Sequence, residues 1–243
     1  MVQYMSFIFG DFFPCLKWIE SIRGFTVSLK STSKELDTFS NQVVEEHKAI
    51  MSLGSSNISV KDNFVDILLR VQKDQKLDFE LTQNDIKAIL QDILLAGTET
   101  TSTTLDWFMA ELMKHPRVMK KAQEEVRLIV GDKPKIDAND INNMVYLKCV
   151  VKETMRPHLP APLLLARETT EKIELGGYCI PAKTQIFINA WAIHRDPKSW
   201  ERSEEFLPER FENDSVDFKG QDSHFIPFGF GRRGCPDSQT GLG

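Results

Sequence analysis

Phe225-Ile226-Pro227-Phe228-Gly229-Phe230-Gly231-Arg232-Arg233-Gly234-Cys235-Pro236 is an aromatic, glycine-rich loop that closes on one cysteine. Phe228, Gly231, Arg233 and Cys235 keep the spacing F-x-x-G-x-R-x-C. Glycines there let the backbone come close to a flat cofactor. The arginine offers a planar fork of donors to a carboxylate, and the cysteine is a candidate metal ligand. A buried structural cysteine behind a glycine-rich turn is the other reading of the same residues.

Upstream, Phe206-Leu207-Pro208-Glu209-Arg210-Phe211 sets an arginine among aromatic residues, and Trp191-Ala192-Ile193-His194-Arg195-Asp196-Pro197 reads as a scaffold turn. Before them the pattern is one of short strands in a small sheet over about residues 163–190. The segments are 163–166, then 173–175 and 178–180 joined by Gly176-Gly177 as a two-residue hairpin, then 184–190. Met144, Leu147, Val151 and Met155 form the stripe of a helix over about residues 143–156, stopped by Pro157 and Pro160. On it Glu153 and Arg156 stand three apart; as an exposed pair they would be worth only a few tenths of a kcal/mol. His158, His194 and His224 have no ligand spacing to one another and read as structural or exposed.

Thr82 and Asp85 read as a capping box that opens a long central helix, about residues 82–115, ended by His115-Pro116. Its apolar periodicity runs through Ile86, Ile89, Leu90, Ile93, Leu94, Leu105, Phe108, Met109 and Leu112. In its middle, Gly97-Thr98-Glu99-Thr100-Thr101-Ser102-Thr103-Thr104 breaks helix propensity for two turns, as functional segments do. Pro116 suits the start of the next helix and Gly131 its end. Earlier, Leu29, Leu36, Phe39, Val43 and Val44 mark an amphipathic helix from about 28 to 51. Phe64, Ile67, Leu68 and Val71 mark another after the break at Gly54-Ser55-Ser56-Asn57.

The chain has 243 residues, 41% of them hydrophobic and 27% charged, with a formal net charge of −5. This is the composition of a folded domain, mainly α with a small β-sheet, read as one domain over 1–243. The negative balance and the lack of a basic tract argue against nucleic acid. Cys15, Cys149, Cys179 and Cys235 are far apart, with no C-x-x-C pair, which fits a reducing compartment. No run reaches the roughly 18 apolar residues of a membrane span. The apolar start, Phe7-Ile8-Phe9 and Phe12-Phe13-Pro14, lacks a basic leader and a cleavage site.

Taken with the motifs upstream of it, the cysteine loop resembles the haem-binding loop of the cytochrome P450 monooxygenases, most nearly the A-type microsomal P450s of plants. The resemblance implies a P450 fold from about its F–G region to the haem-binding loop at residues 225–237. It makes Cys235 the axial ligand of haem b iron, with Phe228 and Gly231 shaping the loop and Arg233 and Arg167 aimed at the propionates. An ordinary strand-end arginine explains Arg167 almost as well. The E-x-x-R helix and the P-E-R-F segment resemble the family's buried lock of Glu153, Arg156 and Arg210. Ala96-Gly97-Thr98-Glu99-Thr100-Thr101 resembles the A-G-x-(D/E)-T-T segment over the open face of the haem. There Gly97 makes room for O2, Thr100 offers a groove and a donor, and Glu99 relays protons. Ile93, Ala96, Leu163, Leu164 and Leu165 would line the substrate pocket.

So read, the chain is the C-terminal half of a monooxygenase that inserts one atom of O2 into a lipophilic small molecule of plant specialised metabolism. NADPH-cytochrome P450 reductase supplies the electrons. The family location is the cytosolic face of the endoplasmic reticulum membrane, through an anchor this chain lacks. Relatives read R-L-H-P-P where this chain has Arg156-Pro157-His158-Leu159-Pro160, and two further positions depart from the family pattern. Ser203 stands where relatives place proline, and Asp237 replaces a glycine two residues after Cys235. A carboxylate there would repel a thiolate. The rival reading is a truncated, noncatalytic polypeptide unable to hold haem tightly.

Overall fold

In a computed structural model of the chain, the described residues are 15, 25–52, 63–74, 78–212, 216–218 and 222–236. They belong to two compact units, Met1–Gly97 and Thr98–Gly243.

The first unit holds α1 (Phe25–Ser52), α2 (Phe64–Asp74) and the opening turns of α3 (Gln83–Lys114). The reciprocal cap expected from the sequence starts α3: Asp85 N–H donates to Thr82 Oγ1 (3.2 Å) and Thr82 N–H to Asp85 Oδ2 (2.8 Å). Val44, Leu69, Leu81 and Ile86 form the core, with Val65, Leu68, Val71, Ile89 and Leu90 packed against it. Of the α1 stripe only Val44 is fully buried, while Leu29 and Phe39 stay exposed.

In the second unit, the remaining turns of α3 lead into α4 (Pro116–Val130), α5 (Ala138–Asn143) and α6 (Val145–Met155). Pro116 stands in the first turn of α4, where no N–H is needed. Gly131, at φ 54°, ends that helix and donates its N–H to the Arg127 carbonyl (2.9 Å). The sequence reading passed over α5, which Asp137 and Asp140 open with a second capping box. The start of α6 takes its cap from a neighbouring helix, because the Glu125 carboxylate of α4 accepts the Tyr146 and Leu147 N–H groups, both at 2.8 Å. Leu112, Val118, Ala122, Tyr146, Val150 and Phe206 close the core of these helices.

The sheet differs from expectation. Residues 163–166 form a turn with Leu164 at φ 51°, and the strand β1 begins only at Arg167–Glu168. Similarly, 184–190 contributes just β4 (Gln185–Ile186), after which Asn189 caps α7 (Ala190–Ile193) by accepting the Ala192 N–H (3.0 Å). Antiparallel β1–β4 is one ladder and β2–β3 (Ile173–Leu175, Tyr178–Ile180) a separate one. Gly176 and Gly177 both have positive φ, 57° and 83°, as a two-residue hairpin of primed type requires. Two 3₁₀ turns, Pro208–Phe211 and Gly231–Arg233, complete the unit. Among the described residues no helix is long and apolar enough to cross a membrane.

Candidate functional site

The last turn of α6 points Glu153 into the second unit, where it is completely buried. A carboxylate survives there only if each oxygen is used. Arg156 Nε and Nη2 donate to its two oxygens (2.9 and 3.0 Å), Arg210 Nε donates at 3.0 Å and Leu207 N–H at 2.8 Å. Arg156, also fully buried, spends its remaining N–H groups on the carbonyls of His194 (2.9 Å), Ser203 (2.6 Å) and Glu205 (3.1 Å). Arg210 reaches the carbonyls of Glu201, Arg202 and Glu205. The three residues named from the sequence therefore come together as one cluster, and backbone carbonyls finish it. Ser203 enters it only through its carbonyl, which any residue supplies. The helix ends at Met155, one residue ahead of expectation: Arg156 caps it in the αR conformation with its N–H on the Lys152 carbonyl, and Pro157 has no N–H to carry the ladder further.

The cysteine loop rests on an aromatic core. Phe225 is buried with Trp200, Phe211, Val216, Phe218 and Cys149, and Phe228 packs against the same group. Ile226 is buried with Leu159 and Ala190 in a smaller cluster. Between them the backbone folds back on itself: Gly229 N–H donates to the Ile226 carbonyl (3.0 Å), Gly234 N–H to Gly231 (2.9 Å) and Cys235 N–H to Phe228 (2.8 Å). Gly229 (φ 76°) and Gly231 (φ 72°) take the left-handed conformation that glycine permits without strain. A Cβ at Gly234 would stand 3.3 Å from the Gly231 carbonyl oxygen, so that position also favours hydrogen. Cys235 is half-buried and forms no disulfide. Asp237 lies outside the described residues.

Arg167 Nη2 donates to the Arg233 carbonyl (3.0 Å), which brings β1 to the loop. Both arginines thus stand at one edge of it. Of the three leucines, Leu164 packs inward against the Leu159, Ala190 and Ile226 cluster, whereas Leu163 is 45% and Leu165 77% exposed. On α3, Ile93 and Ala96 are exposed and belong to the first unit with Gly97, whose missing Cβ would have met nothing within 4 Å. Thr100 is exposed and Glu99 half-buried. Two hydroxyls of the same stretch bond back along the helix, Ser102 Oγ to the Glu99 carbonyl (3.0 Å) and Thr104 Oγ1 to the Thr100 carbonyl (2.9 Å).

The sequence reading gave the three histidines no role in the site, and His194 alone is buried in its framework. Burial pulls it down to about 4, helped by the positive Arg156 and by His224, and opposed by hydrogen bonds to backbone. His158 is instead half-buried, stacked on Trp107 at 3.9 Å and bonded to Glu111 (2.9 Å). His224 sits edge-on to Trp200.

The donor set tests what Cys235 could hold. Among the described residues no three of His, Cys, Asp or Glu come together as a metal site. Cys235 offers one sulfur, a donor set that suits a metal already held by other ligands, as in a porphyrin. A loop of positive-φ glycines with two arginines at its edge suits such a planar, dianionic group.

Known proteins point the same way. The family model described as Cytochrome P450 matches residues 1–236. Phenylacetaldehyde oxime monooxygenase CYP71AN24 of Prunus mume is 53% identical over 242 residues, 100% of this chain and 45% of that protein. Cytochrome P450 71A1 of Persea americana is 52% identical over 238 residues, 98% of this chain and 47% of that protein. Among solved structures, a zebra fish cytochrome P450 with abiraterone aligns with a TM-score of 0.72 at 31% identity. That alignment covers 85% of this chain and 47% of the other. The chain thus spans slightly under half the length of the relatives it matches, and it belongs to the cytochrome P450 family.

Proposed function

We propose that residues 1–243 are part of a single P450 domain in a plant haem-thiolate monooxygenase, with Cys235 as the axial ligand. Bound haem would supply O2 activation, placing one oxygen atom in substrate and reducing the other to water with two electrons from NADPH, delivered by a reductase. The remaining chemistry belongs to side chains of this chain. Cys235, whose N–H donates to the Phe228 carbonyl, would offer its Sγ to the metal from this turned loop. Arg167 and Arg233 hold the propionates, and the Arg167 bond to the Arg233 carbonyl keeps the pair together. Thr100 Oγ1 and the Glu99 carboxylate hold and pass protons, while Gly97 keeps their helix clear of O2. In the second unit Leu163 and Leu165 meet the substrate, with Leu164 behind them as packing. The substrate class is a lipophilic small molecule, in keeping with the oxime for which one relative is named. The family's location, the cytosolic face of the endoplasmic reticulum membrane, is part of the same proposal.

The observation that carries this reading is the cysteine loop itself: a glycine-built turn that fixes Cys235 beside two arginines and rests on an aromatic core. The test is spectroscopic. Reduced, haem-loaded protein under carbon monoxide should show the red-shifted Soret band of thiolate ligation, and Cys235→Ala should abolish it. If the unsubstituted protein lacks the band, the chain is the noncatalytic polypeptide that Asp237 would favour. In that case Asp237→Gly should improve haem retention.

A further inference from the structure

His194 joins the two parts of the site that the chain builds from its own groups, the carboxylate cluster and the cysteine loop. Its ring is fully buried and both nitrogens are committed. Ile226 N–H donates to Nε2 (2.8 Å), so Nε2 carries no proton. Nδ1 must then carry it, and donates to the Arg156 carbonyl (3.1 Å), which fixes one tautomer of the neutral imidazole. The tie to Arg156 is reciprocal, because Arg156 Nη1 donates to the His194 carbonyl (2.9 Å). Beyond Ile226, whose carbonyl accepts the Gly229 N–H, comes Phe228, whose carbonyl accepts the Cys235 N–H. Hydrogen bonds and a few peptide units thus connect Glu153, through Arg156 and His194, to the cysteine.

We infer that His194 is a positioning residue for the Cys235 sulfur: its neutral imidazole fastens the base of the cysteine loop to Arg156 and so sets where the thiolate is presented. The inference rests on Cys235 being the haem ligand. A charged imidazole could not do this, since both nitrogens would donate and the Ile226 N–H would face a donor. A ring that merely filled volume would need no acceptor at Nε2.

His194→Gln and His194→Asn separate these roles. The glutamine amide reaches the place of Nε2 and can accept from Ile226. The asparagine amide reaches only the place of Nδ1, which keeps a donor for Arg156 but strands the Ile226 N–H. In full-length, haem-loaded protein two readouts apply: the share of carbon monoxide complex with the red-shifted Soret band, and amide hydrogen exchange at Ile226, Gly229 and Cys235. His194→Gln should stay near the parent in both, because the bond from Arg156 Nη1 to the backbone carbonyl of residue 194 keeps the tie to Arg156 when the Nδ1 donor is lost. His194→Asn should lose much of the red-shifted share and exchange at the three loop amides about tenfold faster or more, with Val150 in α6 unchanged. Equal behaviour of the two variants, or an asparagine variant like the parent, overturns the inference. Nitrogen NMR of the unsubstituted protein is a check that survives any folding failure: a proton on Nε2 overturns it outright. A parent without the red-shifted band sinks the Cys235 reading and this role with it, whereas a parent with the band but a rapidly exchanging Ile226 amide sinks His194 alone.

Discussion

Glu153 and the hydroxyl stretch at residues 98–104 of α3 are both polar where a helix would ordinarily be apolar or charged and solvated, and the structure treats them oppositely. Glu153 has no exposure and accepts four hydrogen bonds from Arg156, Arg210 and Leu207. Thr98, Thr100, Thr101 and Ser102 are exposed, and Ser102 and Thr104 bond only to carbonyls of their own helix. A group bonded from several segments fixes those segments to one another. Hydroxyls bonded within one turn fix nothing beyond it, and their protons can be exchanged at little cost. Glu153 thus ties separate segments together, whereas the Ser102 and Thr104 hydroxyls stay within their own helix.

The strongest way to break that contrast is Glu153→Ala. It leaves Arg156 buried with two unpaired N–H groups and takes a partner from Arg210, so unfolding by urea should show a loss of about 3–5 kcal/mol, or no folded protein. A loss under about 1 kcal/mol would mean that the cluster is no more than a surface-type pair.

Acid sharpens the same contrast, because the hydroxyls do not titrate while His194 does. Its folded pKa of about 4 lies below the ordinary 6.5. Below pH 6.5 the unfolded chain takes up a proton that the fold refuses, so stability falls as pH falls and this contribution is fully lost below about pH 4. The size is roughly 3 kcal/mol, from a displacement of about 2.5 at 1.36 kcal/mol each. Carboxylates titrate in the same range, so the measurement is the urea midpoint of the parent against His194→Gln from pH 7 to 4. The parent should lose the extra stability; parallel curves would place His194 in contact with water.

How much of this was legible follows from where the partners lie. The caps at Thr82 and Asp85, the ends at Pro116 and Gly131, and the hairpin at Gly176-Gly177 rest on neighbours a few residues apart, and each was read from the sequence. The Asp137–Asp140 box was just as local but went unread, because its helix is only six residues long and carries little apolar stripe to announce it. Residues 163–166 read as a strand from their leucines. The turn prevails because Leu164 adopts φ 51° and packs inward, so the ladder must wait for Arg167. The Glu153 cluster was legible in its three side chains through family resemblance, but not in its carbonyls. Nor was the part taken by His194, whose ring bonds to backbone 38 and 32 residues away. A backbone partner leaves no residue type in the sequence to recognise.

The smallest effect on stability should come from Thr100→Ala, and it is the one that asks whether the open anomaly is chemical. Thr100 is exposed, so the substitution should change the free energy of unfolding in urea by no more than about 0.5 kcal/mol. Thr104→Val, which removes the back-bond to the Thr100 carbonyl, serves as a control for the helix. If Thr100 Oγ1 delivers protons, haem-loaded Thr100→Ala should keep its thiolate spectrum and its rate of O2 uptake while more of that oxygen leaves as hydrogen peroxide and less enters product. Thr104→Val should leave the ratio of product to O2 as it was. If both variants couple like the parent, the hydroxyl stretch shapes the helix without handling protons. If both uncouple alike, the cause is helix geometry. Uncoupling by Thr100→Ala alone ties the chemistry to one hydroxyl.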